Sequence, residues 1–359
     1  MTTRVVKATG DPAYDREVME EASAIIRAGG LVAIPTETVY GLAGDALNPD
    51  SARKIYAAKG RPPDNPLIVH IARLEDMERI ARDIPGEAYA LAERFWPGPL
   101  TMILNKKEAV PRETTGGLDT VAVRFPVNKI AQEFILAAGG FIAAPSANVS
   151  GRPSCTTAGH CIQDLDGRID MIIDGGEVGI GLESTIVDMT VKPPCILRQG
   201  YINKDMLNEV LQDIGRDSGK STDDGHPKAP GMKYRHYAPK GRLTIVRGDR
   251  DSVVSEINRL AGENERNGYK TAVIASHETS ERYVCSGPVA DMGSLEDEEA
   301  IARRLFAVLR EMDDIGAEYI YSESFDTPRL GEAIMDRLIR ASGNNVTEVG
   351  GKNEDSDSL

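Results

Sequence analysis

Two short apolar runs set the frame for this chain: LVAI at 31–34 and LIVHI at 67–71, each joined to a dense polar cluster. The first stops at Pro35 and delivers Thr36, Glu37, Thr38 and Tyr40. Ahead of the second, Lys59 and Arg61 sit two apart in a loop stiffened by Pro62, Pro63 and Pro66. Strands that feed stiff polar loops build ligand sites at the carboxyl ends of an α/β sheet. A lysine and an arginine in such a loop point to a ligand carrying phosphate or carboxylate.

The remaining sequence extends the pattern. Residues 18–28 (VMEEASAIIRA) read as an amphipathic helix ended by Gly29 and Gly30. Helical stretches near 51–58, 75–82, 86–95, 128–138 and 156–165 alternate with strand-like runs at 100–104, 120–126 and 141–148. MIIDGG, STIVDM and CILRQG follow, and Asn203 caps a helix to about 213. This alternation predicts an α/β domain over 1–212 around a largely buried sheet. Residues 213–229 carry almost nothing apolar and read as a linker within 213–240. The linker closes on APGMKYRHYAP at 229–239, whose tyrosines, methionine and basic residues do not suit a structureless spacer. A second βαβ-like pattern occupies 241–345, without GxGxxG or a P-loop, and 346–359 reads as a polar tail.

Bulk properties exclude several classes. A length of 359 residues favours two domains, and 41% hydrophobic with 27% charged residues suits a globular protein. A net charge of −14 argues against a chain whose main task is coating nucleic acid. No apolar run approaches a membrane span and no signal peptide precedes Arg4 and Lys7, so the expected location is the cytoplasm. Cys155, Cys161, Cys195 and Cys285 show no CxxC spacing, and free thiols are expected. The five histidines form no HxxxH or HxH pattern, so no protein-only transition-metal site is expected.

Each polar cluster admits a functional and a structural account. Lys59, Arg61, Asn65 and His70 form an anion clamp or a solvated basic loop. In TVAVR, Thr120, Ala122 and Arg124 share one strand face. An arginine ending such a strand needs an anion, supplied by a ligand or equally by a salt bridge. Ser146, Asn148, Ser150, Gly151 and Ser154 make a small polar loop that offers donors to phosphate or simply turns into the next helix, capped by Thr156 or Thr157. Glu183, Ser184 and Thr185 open one strand and Arg198 ends the next; GLES does not fit a nucleophile elbow, which leaves Ser184 as a hydroxyl donor. The 229–239 segment is either a domain-docking contact or a loop that covers the site. Convergence of these clusters on strand ends is the argument for function.

Taken together, PTETVYGL, KGRPPDNPLIVH, WPGPLT, GLDTVAVR, APSANVSGRPS and GLESTIVD resemble the YrdC/Sua5 family. APGMKYRHYAP with a second α/β domain resembles its long Sua5 branch, and the resemblance spans roughly residues 12–345. It implies a twisted mixed-sheet domain with a concave basic cavity, followed by a smaller Rossmann-like domain. It implies synthesis of threonylcarbamoyl-adenylate from L-threonine, bicarbonate and ATP, with release of pyrophosphate. A separate transfer complex then modifies adenosine 37 of tRNAs reading ANN codons. By the same resemblance Thr38, His70, Arg124, the backbone at Ala144 and Ser184 fall at threonine-binding positions. Arg61, Asn65, Thr120, Ser146, Ser154, Arg198 and Tyr237 fall at ATP-binding positions, and Lys59 joins Arg61 as a catalytic KxR element facing phosphate or carbamate.

That reaction joins an anionic nucleophile to a polyanionic electrophile, so the site must position reactants and neutralise charge. Mg²⁺ is expected on the phosphates of ATP. The mixed anhydride hydrolyses readily, which gives the 229–239 loop the purpose of covering it. Weak tRNA contact is a further expectation for the synthase. Three other readings compete: an RNA-binding protein of the same fold, a carbamoyl-adenylate module of the hydrogenase-maturation type, and a structural or regulatory scaffold in the second domain. The acidic charge weighs against the first and the absence of CxxC pairs against the second.

Overall fold

A computed structural model describes residues 2–216, 227–229 and 236–350. The chain divides into two units, Met1–Tyr234 and Arg235–Leu359.

Among the described residues of the first unit a sheet of twelve strands carries everything else. The strands are β1 (Arg4–Lys7), β2 (Val32–Ile34), β3 (Gly41–Asp45), β4 (Ile68–His70), β5 (Ala81–Arg82), β6 (Leu100–Lys106), β7 (Thr120–Arg124), β8 (Ile142–Ala143), β9 (Met171–Asp174), β10 (Thr185–Asp188), β11 (Cys195–Arg198) and β12 (Gly215–Arg216). They lie in the order β1-β9-β2-β3-β8-β4-β7-β6-β10-β11-β12, with β5 on β6. Pairing is mixed: β4 runs parallel to β7, β7 antiparallel to β6, and β6 parallel to β10.

The helices are α1 (Pro12–Arg27), α2 (Pro49–Lys59), α3 (Asp76–Ile80), α4 (Gly86–Phe95), α5 (Lys129–Ala137), α6 (Ala158–Leu165) and α7 (Lys204–Asn208). Helix α1 begins well before residue 18. Asp11 accepts from the N–H groups of Ala13 and Tyr14 and Pro12 opens the first turn, a start signal that the apolar periodicity does not carry. Helix α2 starts on an Asn48 cap and stops at Gly60, which takes the left-handed conformation at φ 62°. That stop delivers Lys59 and Arg61 to the loop beyond. Val69, Val121, Val123, Met102 and Leu104 bury one face of the central strands in the main core with Leu91, Phe95 and Trp96 of the α4 region.

Three local expectations change. The strand read over 141–148 is only Ile142–Ala143, because the chain turns at Pro145 into the polar loop. Gly215–Arg216 adds a strand beside β11, so the sheet reaches into the stretch read as linker. Residues 346–349, read as tail, form the edge strand β17 (Val346–Val349) of the second unit.

The second unit is a five-stranded, wholly parallel sheet: β13 (Arg242–Gly248), β14 (Thr271–Ala275), β15 (Val289–Asp291), β16 (Tyr319–Glu323) and β17, ordered β15-β14-β16-β13-β17. Helices α8 (Arg250–Arg266), α9 (Glu298–Asp314) and α10 (Gly331–Ser342) make three of the connections between these parallel strands, and a segment with a 3-10 turn at Ser280–Arg282 joins β14 to β15. No helix among the described residues is long and apolar enough to cross a membrane. All four cysteines are free thiols.

Candidate active site

Because side chains alternate along a strand, the valines that face the core turn their neighbours to the other side of the sheet. On that side His70 of β4 sits opposite Arg124 of β7, and Arg124 opposite Thr101 of β6. Ser184, just ahead of β10, shares a 2.7 Å hydrogen bond with the Thr101 hydroxyl. These four polar residues are all buried. Beside them Ile68, Ala122, Ile103 and Ile186 form an apolar patch on which Ala229 packs, fully buried. The start of the 229–239 segment is therefore seated on the site face of the first unit. Residues 230–235 of that segment lie outside the described residues.

The PTETVYG loop crosses this row. Its backbone is tied down by Ile180 N–H to Glu37 O at 2.8 Å and Gly181 N–H to Thr38 O at 3.1 Å. The Thr36 and Thr38 hydroxyls lie 2.9 Å apart. Tyr40 donates its hydroxyl to Gly176 O at 2.7 Å, a structural tie rather than a ligand contact, and burial pushes its ionisation far up. Glu37 reaches Arg124: Oε1 accepts from Nη2 at 2.7 Å, with the side chains only 10% and 5% exposed. Both accounts of Arg124 are thus in play at once. An internal anion holds it, yet Glu37 Oε2 and Arg124 Nε are buried without a hydrogen-bond partner among the described residues.

His70 is neutral. Burial, then the adjacent Arg124 charge, pushes its pKa down to about 3. Its Nδ1 lies 3.1 Å from Ile68 O, which can only accept, so Nδ1 carries the proton and Nε2 is an acceptor. Ala144 N–H is committed to Ile68 O at 2.9 Å, so what Ala144 offers a ligand is its carbonyl.

The phosphate-type candidates surround this row. Arg198 donates from Nε to Ser184 O at 3.0 Å and from Nη2 to Ser184 Oγ at 3.2 Å. Ser154 Oγ donates to Glu183 Oε1 at 2.6 Å. Arg61 holds its own loop, donating to Asn65 Oδ1 at 2.7 Å and Pro66 O at 3.0 Å. Ser146 Oγ donates to Asn148 Oδ1 at 2.5 Å. Lys59 is 1% exposed; its Nζ donates to the carbonyls of Ser146 and Asn148, while its own carbonyl accepts from Ser150 N–H at 2.9 Å. It braces the 146–150 loop from beneath. Burial, then the Arg61 charge, pushes its pKa down to about 7. Thr120 is half-buried on the same strand face as Arg124 but roughly 13 Å along β7 from it. Tyr237 belongs to the second unit, where its ring lies 5.1 Å from Phe306. Thr101 joins the site without any signal in the local sequence, and Glu37 and Glu183 were visible only as members of polar clusters.

Residues 24–200 match the family model described as Telomere recombination, and residues 202–343 match that of Threonylcarbamoyl-AMP synthase, C-terminal domain. A Pyrococcus abyssi protein named Threonylcarbamoyl-AMP synthase is 47% identical over 344 residues, 93% of this chain and 98% of that protein. The chain belongs to the Sua5 family of threonylcarbamoyl-AMP synthases. A second member of the family, from Bacillus subtilis, is 42% identical over 94% of this chain and 95% of its own. The crystal structure of P. abyssi Sua5 complexed with L-threonine matches at TM-score 0.90 and 45% identity, covering 98% of this Sua5-family chain and all of that one.

Proposed function

We infer that this chain condenses L-threonine, bicarbonate and ATP into L-threonylcarbamoyl-AMP and pyrophosphate, an adenylyl transfer. The product serves the modification of adenosine 37 in tRNAs that read ANN codons, through a separate transfer complex, in the cytoplasm. The observation that carries this reading is the buried row of His70, Arg124, Thr101 and Ser184, crossed by a half-paired Glu37. It sits in a chain whose relatives bear the synthase name over nearly their whole length.

The row suits an amino acid with a hydroxyl side chain. Arg124 Nε is a charged donor for the carboxylate, and neutral His70 offers Nε2 to the threonine hydroxyl. Ser184 and Thr38 supply further hydroxyl contacts. The amine, once carboxylated by bicarbonate-derived CO₂, presents an oxygen that attacks the α-phosphorus of ATP, and pyrophosphate leaves. Arg198, Arg61 and Asn65 neutralise and orient the phosphates, with Ser146, Ser154 and Thr120 as neutral donors. In this reading Mg²⁺ arrives on the phosphates of ATP.

Pyrophosphate release from ATP and Mg²⁺ tests the reading. Release that requires both L-threonine and bicarbonate, and is lost in Arg124→Ala, is the expected result. Release with carbamoyl phosphate instead of threonine would move the chain to carbamoyl-adenylate chemistry. No release from folded protein would leave a binding role.

A further inference from the structure

Arginine and carboxylate commonly meet through two parallel hydrogen bonds. Glu37 and Arg124 make one, Oε1 to Nη2, and leave Oε2 and Nε buried with no partner among the described residues. One acceptor and one donor of opposite charge are thereby held together in a desolvated place. Leaving a charged group buried and partly unsatisfied is unfavourable unless something completes it. A ligand with a single negative charge completes Arg124 alone. An α-amino acid zwitterion completes both, because its ammonium and carboxylate are one carbon apart and the four charges then alternate in sign.

We propose that Glu37 is the specificity-determining residue for the amino group: Oε2 receives the α-ammonium of the incoming amino acid while Arg124 receives its carboxylate. This rests on the reading of the site as a threonine site. The charged pair holds the nitrogen before carboxylation, and a hydroxy acid of the same shape finds no use for Glu37. His70 does not compete for the role as a charged group, since it stays neutral and is placed to meet the side-chain hydroxyl.

Two accounts of Glu37 must be separated, an ammonium ligand or a brace that holds Arg124 in place. Calorimetry on the full chain with L-threonine and with (2S,3R)-2,3-dihydroxybutanoate, which replaces the amine by a hydroxyl, separates them. In the wild type L-threonine should bind about 10- to 100-fold more tightly than the hydroxy acid. Glu37→Gln should reduce that preference to about threefold or less while hydroxy-acid affinity stays within about threefold. Equal weakening of both ligands makes Glu37 only a brace and overturns the proposal, as does a preference that survives the substitution. Wild-type protein that binds neither ligand overturns the threonine reading itself, and this proposal with it, a result distinct from equal weakening. Unchanged ATP affinity verifies that the variant is folded. Should Glu37→Gln fail to fold, Glu37→Asp retains the charge but withdraws it by one methylene. An undiminished preference in that variant also overturns the proposal.

Discussion

Lys59 offers a test of how the candidate site is held together. Its ammonium is wholly buried and bound to two backbone carbonyls, and its pKa falls from the usual 10.5 to about 7. A base with a lowered folded pKa is protonated more readily in the unfolded chain. The folded state therefore carries the full penalty below pH 7 and sheds it as pH rises toward 10.5. At about 1.4 kcal/mol per pH unit the whole effect is roughly 3–5 kcal/mol. Between about pH 7 and 9 the wild type should gain roughly 2 kcal/mol of stability that Lys59→Met does not. Methionine matches the length of the side chain and removes the charge. It also orphans the Ser146 and Asn148 carbonyls, at about 1–3 kcal/mol each, an offset that does not depend on pH. A neutral amine still has two N–H groups for those carbonyls, so deprotonation relieves the charge without unmooring the loop. Trp96, the chain's single tryptophan, lies in the core of the first unit, so urea unfolding followed by its fluorescence reports that unit. Wild-type and Lys59→Met stability curves that run parallel from pH 7 to 9 would refute a charged, desolvated Lys59.

Other outcomes follow from the same geometry. With His70 held near pKa 3, L-threonine affinity should show no inflection between about pH 5.5 and 7.5 by calorimetry; one near 6.5 that disappears in His70→Gln would contradict a His70 kept neutral by burial. Deleting residues 229–239 should abolish pyrophosphate release and leave the Trp96 unfolding transition of the first unit in place. Near-normal release by that variant would dismiss a covering role for the segment. Truncation after Asn345 removes β17 and strips one neighbour from β13, so the melting temperature of the second unit should fall by at least about 5 °C in calorimetry. An unchanged transition would mean that the edge strand contributes nothing.

Much of this protein could be read from local pattern. The alternation in TVAVR is enough to put Arg124 on the face opposite Val121 and Val123, because strand side chains have a period of two. The helical pattern near 51–58 falls within α2, whose ends are set just outside it by Asn48 with Pro49 and by Gly60. Long ordered motifs led to the family for a similar reason: they are contiguous.

Partner choice was not legible. The anion of Arg124 is Glu37, 87 positions away in the loop between β2 and β3, and Ser184 meets Thr101 across 83 positions because β10 lies beside β6. Lys59 reads as part of an anion clamp or of a solvated basic loop; that it is buried on the Ser146 and Asn148 carbonyls could not be read, because its exposure depends on where the 146–150 loop lies. Ala229 reads as linker and sits fully buried on the site face, on a patch assembled from four separate strands. Residue type and spacing determined which groups stand at strand ends and which way they face. Tertiary structure alone decided which of those groups spend their hydrogen bonds on one another and which keep an atom for a ligand, since that depends on distances between segments that no local period encodes.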